Sequence, residues 1–189
     1  MKRPYITISI ASFIALLVVA CSPAIGIIGE VHEHAGLKIY IGGNPINFSH
    51  DKYMSSENMT LSNFIHLHDK DGEIIHKHTR GITLGFFFES LNMKFDSQCL
   101  AIDTKNGYCS ENSKKLKMYV NGKQNYKYEN YEFNDLDRIL ITYGSESAEQ
   151  IKAQIESVTD EACIYSEKCL ERGSPPDESS CIGSGCEVE

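Results

Sequence analysis

Six of the seven histidines in this chain fall into three H-x-H pairs: His32 with His34, His66 with His68, and His76 with His78. On a β-strand, side chains at i and i+2 share a face, whereas on a helix they point in nearly opposite directions. The two later pairs flank Asp69, Lys70, Asp71 and Gly72, residues that favour turns. Residues 64–68 and 73–79 therefore predict a β-hairpin with imidazoles on one face and Ile65, Leu67 and Ile75 on the other. With Asp first and Gly fourth, the connection fits a type I turn closing into a bulge, with Gly72 left-handed. That loop length makes paired residue numbers sum to a constant, placing His66 opposite His76 with His68 and His78 diagonal to them. A register slip of one residue would divide the imidazoles between the two faces. Such a hairpin is not stable alone, so the chain must supply a sheet and a core against its apolar side.

The rest of the sequence supplies both. A strand is expected at 37–41, where Leu37, Ile39 and Ile41 share a face, followed by the turn Gly42, Gly43, Asn44, Pro45 and a return strand at 46–48. His32 and His34 precede that strand in the phase opposite to Leu37. They can reach the same open face as the other pairs or form a second site. Residues 49–62 read as a loop carrying the lone His50. Leu84, Phe87, Phe88 and Leu91 then follow helical spacing, with Thr83 placed as N-cap. Further strands are expected around Cys99 and Cys109, at 116–120 before the turn Asn121-Gly122, and at 138–143. Ser147 and Gln150 form a capping box for a helix with Ile151, Ile155 and Val158 on one side. The fold class is α+β.

The first twenty residues carry Lys2 and Arg3 and an apolar run from Ile6 to Ala20, fifteen residues long, ending at Cys21. A bilayer span needs about 20 apolar residues, so the run reads as a signal peptide. Small residues before Cys21 resemble the lipobox of bacterial-type lipoproteins. That resemblance implies a lipid anchor at Cys21, with residues 21–30 as tether. Six cysteines remain for disulfides, and local spacing suggests Cys99 with Cys109, Cys163 with Cys169, and Cys181 with Cys186. A bridge between Cys99 and Cys109 would close a short loop and stabilise by roughly 3 kcal/mol. Zinc binding by the tail cysteines is the competing reading. Residues 159–189 carry 8 acidic and 2 basic side chains, most of the net charge of -8, and are expected to form an extended acidic tail. The acidic balance argues against a nucleic-acid partner.

The stretch LKMYVNGK (116–123) followed by YEFNDLDRILITYG (131–144) resembles the closing strands of β-grasp, ubiquitin-like domains. The order of hairpin, helix and strands is similar too. This resemblance implies a β-grasp-like mixed sheet with one packed helix over 31–144, a C-terminal helix over 145–158, and the tail beyond. The same region is similar to a family of exported prokaryotic lipoproteins with repeated H-x-H pairs, a likeness that implies no particular activity.

Imidazole suits Zn(II), Cu(II), Ni(II) and Fe, so the candidate metal ligands are His32, His34, His66, His68, His76 and His78, with zinc or copper as the expected ion. The reading is a lipid-anchored extracytoplasmic protein that acquires, delivers or buffers a divalent transition metal. Its partners are the membrane, the ion and an envelope protein. Two alternatives stand beside it: an envelope interaction module whose histidines respond to pH, and a metal enzyme. His66, His68 and Glu73 resemble the core of the first cupin motif, but its glycines and its second motif are missing. No nucleophile motif or phosphate loop supports catalysis, so no catalytic residue is assigned.

Overall fold

The computed structural model describes residues 25–56 and 59–175. The leader, Cys21, Cys181 and Cys186 lie outside them. The main sheet is mixed. Its strands are β1 (Glu33–Ile41), β2 (Asn44–Pro45), β3 (Ile65–His66), β4 (Ile74–Lys77), β8 (Lys115–Val120), β9 (Lys123–Gln124) and β10 (Arg138–Gly144). They lie in the order β3-β4-β1-β10-β8-β9, with β2 paired to the end of β1. The first and last long strands, β1 and β10, run parallel at the centre, with Leu37 beside Ile139 and Ile39 beside Ile141. All other pairings are antiparallel. A small second sheet, β5 (Lys94–Phe95), β6 (Cys99–Ala101) and β7 (Gly107–Cys109), carries the first disulfide across its paired Cys99 and Cys109.

One face of the main sheet forms the core. Ala35, Leu37, Ile39, Ile65, Leu67 and Ile75 pack with helix α1 (Leu84–Ser90), whose Leu84, Phe87 and Phe88 are fully buried. The expected helical face is thus the one that docks. Thr83 takes the extended N-cap conformation, though its side chain makes no capping hydrogen bond. Two tight turns follow their sequence chemistry. Gly42-Gly43 and Asn121-Gly122 each hold two consecutive left-handed residues, the requirement of a two-residue hairpin turn matched to strand twist. Because Gly42 and Gly43 alone make the first turn, the return strand falls at Asn44–Pro45 rather than at 46–48.

The other face of the sheet is covered as well, contrary to the expectation of an open imidazole face and an extended tail. Helix α2 (Ala148–Glu156) begins with the expected capping box: Ser147 Oγ accepts from the Gln150 amide at 3.3 Å, and Gln150 Oε1 accepts from the Ser147 amide at 2.8 Å. At its other end the Arg138 guanidinium donates to the last-turn carbonyls of Ile155 and Glu156 and to the Val158 carbonyl just beyond the helix. The chain then crosses β1. Tyr40 and Ser157 hydroxyls meet at 2.9 Å, and a Cβ on Gly36 would lie 2.5 Å from the Thr159 carbonyl oxygen. Gly36 is what lets the two backbones approach so closely. Helix α3 (Ala162–Tyr165) follows, closed by the disulfide between Cys163 and Cys169. The chain from Thr159 through this disulfide loop is therefore folded against the sheet.

Two disulfides suit an oxidising, extracytoplasmic compartment. Among the described residues, no helix is long and apolar enough to cross a membrane.

Candidate metal centre

The hairpin register is the one expected. Ile65 pairs with Lys77 and His66 with His76. The connection differs, however. Its left-handed residues are Asp69 and Lys70, not Gly72. Gly72 serves close approach instead, since a Cβ there would lie 2.5 Å from the Ser49 amide nitrogen and 2.6 Å from the Phe48 carbonyl carbon. The Asp71 side chain accepts from the Glu73 amide at 2.8 Å and shapes the return.

On the other flank of β4, β1 begins earlier than its apolar alternation suggests and pairs His34 with His76. His76 is thus central, with His34 on one neighbouring strand and His66 on the other. All six paired histidines close into a ring of contacts. Successive ring centroids lie 4.5 Å apart for His32 and His34, 4.6 Å for His34 and His76, 3.9 Å for His76 and His68, 5.5 Å for His68 and His66, 5.0 Å for His66 and His78, and 4.8 Å for His78 and His32. Five of them expose 3% or less of their surface, and only His32 faces solvent. The cluster is a buried polar patch with one open edge. His50 lies exposed on its loop before a short helical turn.

Within this ring, one ligand nitrogen each from His32, His34 and His76 lie within 4.8 Å of one another, so this triad can hold a metal ion. The Nε2 atoms of His32 and His34 are 3.2 Å apart. Two nitrogens held by one tetrahedral zinc at roughly 2.0–2.1 Å would be about 3.3 Å apart. The rings already stand at ligand spacing.

Surrounding groups fix which nitrogen each ring presents. Ser166 Oγ donates to Asp135 Oδ1 at 2.6 Å, so its oxygen is left to accept from His34 Nδ1, 2.7 Å away. His34 therefore carries its proton on Nδ1 and turns the Nε2 lone pair toward His32. His66 Nδ1 donates to the Ser62 carbonyl at 2.9 Å, and His68 Nδ1 to the Asp69 carboxylate at 2.7 Å. Both acceptors lack a proton to give, so these rings also present Nε2 lone pairs. Such oxygen partners behind ligand imidazoles orient the ring and raise its basicity. Asp135 can serve because it stays ionised: burial opposes its charge, but hydrogen bonds from the His34 amide, Lys168 and Ser166 outweigh that and hold its carboxyl below the usual range.

Tyr165 covers the patch, its ring 5.2 Å from His76 and 5.7 Å from His34. Its hydroxyl donates to Asp71 Oδ2 at 2.7 Å, and burial, then this hydrogen bond, push its pKa upward, so it remains a donor. Burial, followed by repulsion from His68, His34, His66 and His78, lowers the His76 pKa well below the ordinary value. His76 is thus held neutral, the form a metal requires.

Of the carboxylates near the histidine strands, Asp69 contacts a histidine directly. Asp71 reaches the cluster only through Tyr165. Glu33 instead joins Lys77 on the core-facing side at 2.7 Å, and Glu73 pairs with Lys38 at 2.8 Å, which removes the basis of the cupin likeness. Ser62, Asp135, Tyr165 and Ser166 are contributors that the motif reading missed. Ser166 lies 132 residues from His34 and Asp135 101 residues, so no local spacing announces them. Comparisons with protein-family models, with curated proteins and with solved structures each return no match.

Proposed function

We propose that this chain is a lipid-anchored extracytoplasmic protein that binds Zn(II) or Cu(II) through its H-x-H strands and serves metal acquisition, delivery or buffering. The observation that carries the reading is the convergence of His32, His34 and His76, with His34 oriented through Ser166 by an ionised carboxylate. A surface histidine has no need of a buried partner that fixes its tautomer; a ligand does. The donor set is imidazole, and the four described cysteines are all in disulfides, which favours zinc or copper(II) over ions that seek thiolate. Burial with a single open edge at His32 suits holding and handing over an ion.

Anchoring at Cys21 is part of the proposal, supported by the leader and its small residues before that cysteine. The described part of the tether leads directly to the histidine hairpin: the Gly29 amide donates to the His78 carbonyl at 2.7 Å and the Gly26 amide to the Arg80 carbonyl at 3.0 Å. A β-grasp-like assignment is supported by a sheet whose first and last long strands are parallel neighbours, flanked by antiparallel partners, with a helix packed after the second hairpin arm.

The test is metal retention. The full chain in mild detergent is loaded with zinc or copper, dialysed, and its metal counted beside a His32→Gln/His34→Gln/His76→Gln variant checked for folding by circular dichroism. The proposal expects at least one ion retained per wild-type chain and none in the variant. An empty wild type, or equal retention by both, contradicts it.

A further inference from the structure

The cluster contains a second close pair of ring nitrogens. His68 Nε2 and His76 Nδ1 lie 3.1 Å apart, almost the same spacing as the 3.2 Å between His32 and His34. Both match the separation of about 3.3 Å expected for two nitrogens on one tetrahedral ion. The second pair lies on the β3 flank of His76, where His66 stacks on its cross-strand partner at 6.0 Å and sits 5.5 Å from His68. Here too the outer partners are built in: Asp69 behind His68 and the Ser62 carbonyl behind His66 leave both rings presenting Nε2. Six imidazoles exceed the four ligands that one zinc or copper ion ordinarily takes. His76 pairs directly with His34 on one neighbouring strand and His66 on the other, and an imidazole has two nitrogens on opposite sides of its ring.

Resting on the metal-binding reading above, we infer that the chain holds two divalent ions, one at His32, His34 and His76 and the other at His66, His68 and His76, with His76 as the shared ligand. In the metal-free state, hydrogen bonds between ring nitrogens hold these rings at ligand spacing. When the second ion binds, His76 uses both nitrogens, and its remaining ring N–H proton passes to the buffer. His78 stacks between His32 and His66 and braces the array. Because the two ions share a ring, filling one position changes the other, which is a means of grading release.

Two readouts on the full chain in detergent test this. Copper(II) is titrated and counted at equilibrium in the wild type and in His68→Gln, and electron paramagnetic resonance quantifies the spins. The expected result is two ions in the wild type with clearly fewer than two spins per chain, because copper ions joined by one imidazolate couple magnetically. His68→Gln should then hold one ion with one full spin. Retention of that ion also shows that the variant folds; should it not fold, wild-type stoichiometry and spin count decide. One ion in the wild type overturns the second site and leaves the single-ion reading standing. Two ions with two full independent spins overturn the shared ligand. No ion at all overturns both readings.

Discussion

Replacing Ser166 with Ala removes one oxygen and isolates the outer support of the site. In the folded chain that oxygen accepts the His34 Nδ1 proton at 2.7 Å while its own proton goes to Asp135. Without it, a buried imidazole N–H loses its acceptor, which costs about 1–3 kcal/mol. His34 is also released to flip or to shift its proton to Nε2, and then it presents a donor where a lone pair is required. Loss of such a partner typically weakens metal affinity by about 10–100-fold, or about 1.4–2.8 kcal/mol at 1.4 kcal/mol per decade. Ser147→Ala is the matched control. It removes the N-cap of α2, costs about 1 kcal/mol of stability, and touches no histidine in the cluster. The assay is zinc competition against a chromophoric chelator, with thermal unfolding of the metal-free proteins alongside. Both variants should lose comparable stability, and only Ser166→Ala should lose affinity. Equal zinc affinity in the two variants would refute the argument that Ser166 orients a ligand.

Other consequences follow from the same geometry. Cys163→Ser/Cys169→Ser opens the loop that carries Tyr165 and Ser166; it should destabilise by about 2 kcal/mol and weaken zinc binding, read by the same competition, whereas unchanged affinity would separate the loop from the site. For pH, the His76 pKa is lowered in the folded chain, chiefly by burial, so the unfolded chain takes up a proton that the folded chain refuses. The stability present above the unfolded value of about 6.5 is therefore lost as pH falls toward the folded pKa, by up to about 1.4 kcal/mol per pH unit for each such proton. Urea unfolding of the metal-free chain between pH 7.5 and 5 should show this fall, lessened in His76→Gln; a flat wild-type profile contradicts it. Gly72→Ala drives a Cβ against the backbone of Phe48 and Ser49, so it should destabilise by more than about 1 kcal/mol, in the range of overpacked sites, as read by denaturant midpoint.

Much of this was legible in the residues because it depends on local periodicity. Alternation in the hairpin put Ile65, Leu67 and Ile75 in the core and the histidines on the opposite face, and the register of His66 with His76 followed from loop length. The apolar face of α1, the Asn121-Gly122 turn and the capping box of α2 were equally local. What local pattern does not encode is the path of a distant segment. Turn chemistry assigned the left-handed conformation to Gly72, but contact with Phe48 and Ser49, more than twenty residues earlier in the chain, determines why glycine stands there (a long-range approach of the kind that overrides turn preference). The covering of the histidine face had one sequence signal, the glycine at position 36 inside β1. Read as a site of close backbone approach, it marks where Thr159 crosses. Acidic composition suggested that the region after Thr159 is solvated, yet Ser166, Tyr165 and the disulfide loop supply the cover and outer partners of the site.

The most direct test is anomalous diffraction at the metal absorption edge from crystals grown with zinc or copper. The account predicts an anomalous peak roughly 2.0–2.1 Å from ring nitrogens of His32, His34 and His76, with Ser166 still behind His34. A well-ordered histidine cluster without a peak, or metal found only at surface carboxylates, would contradict it.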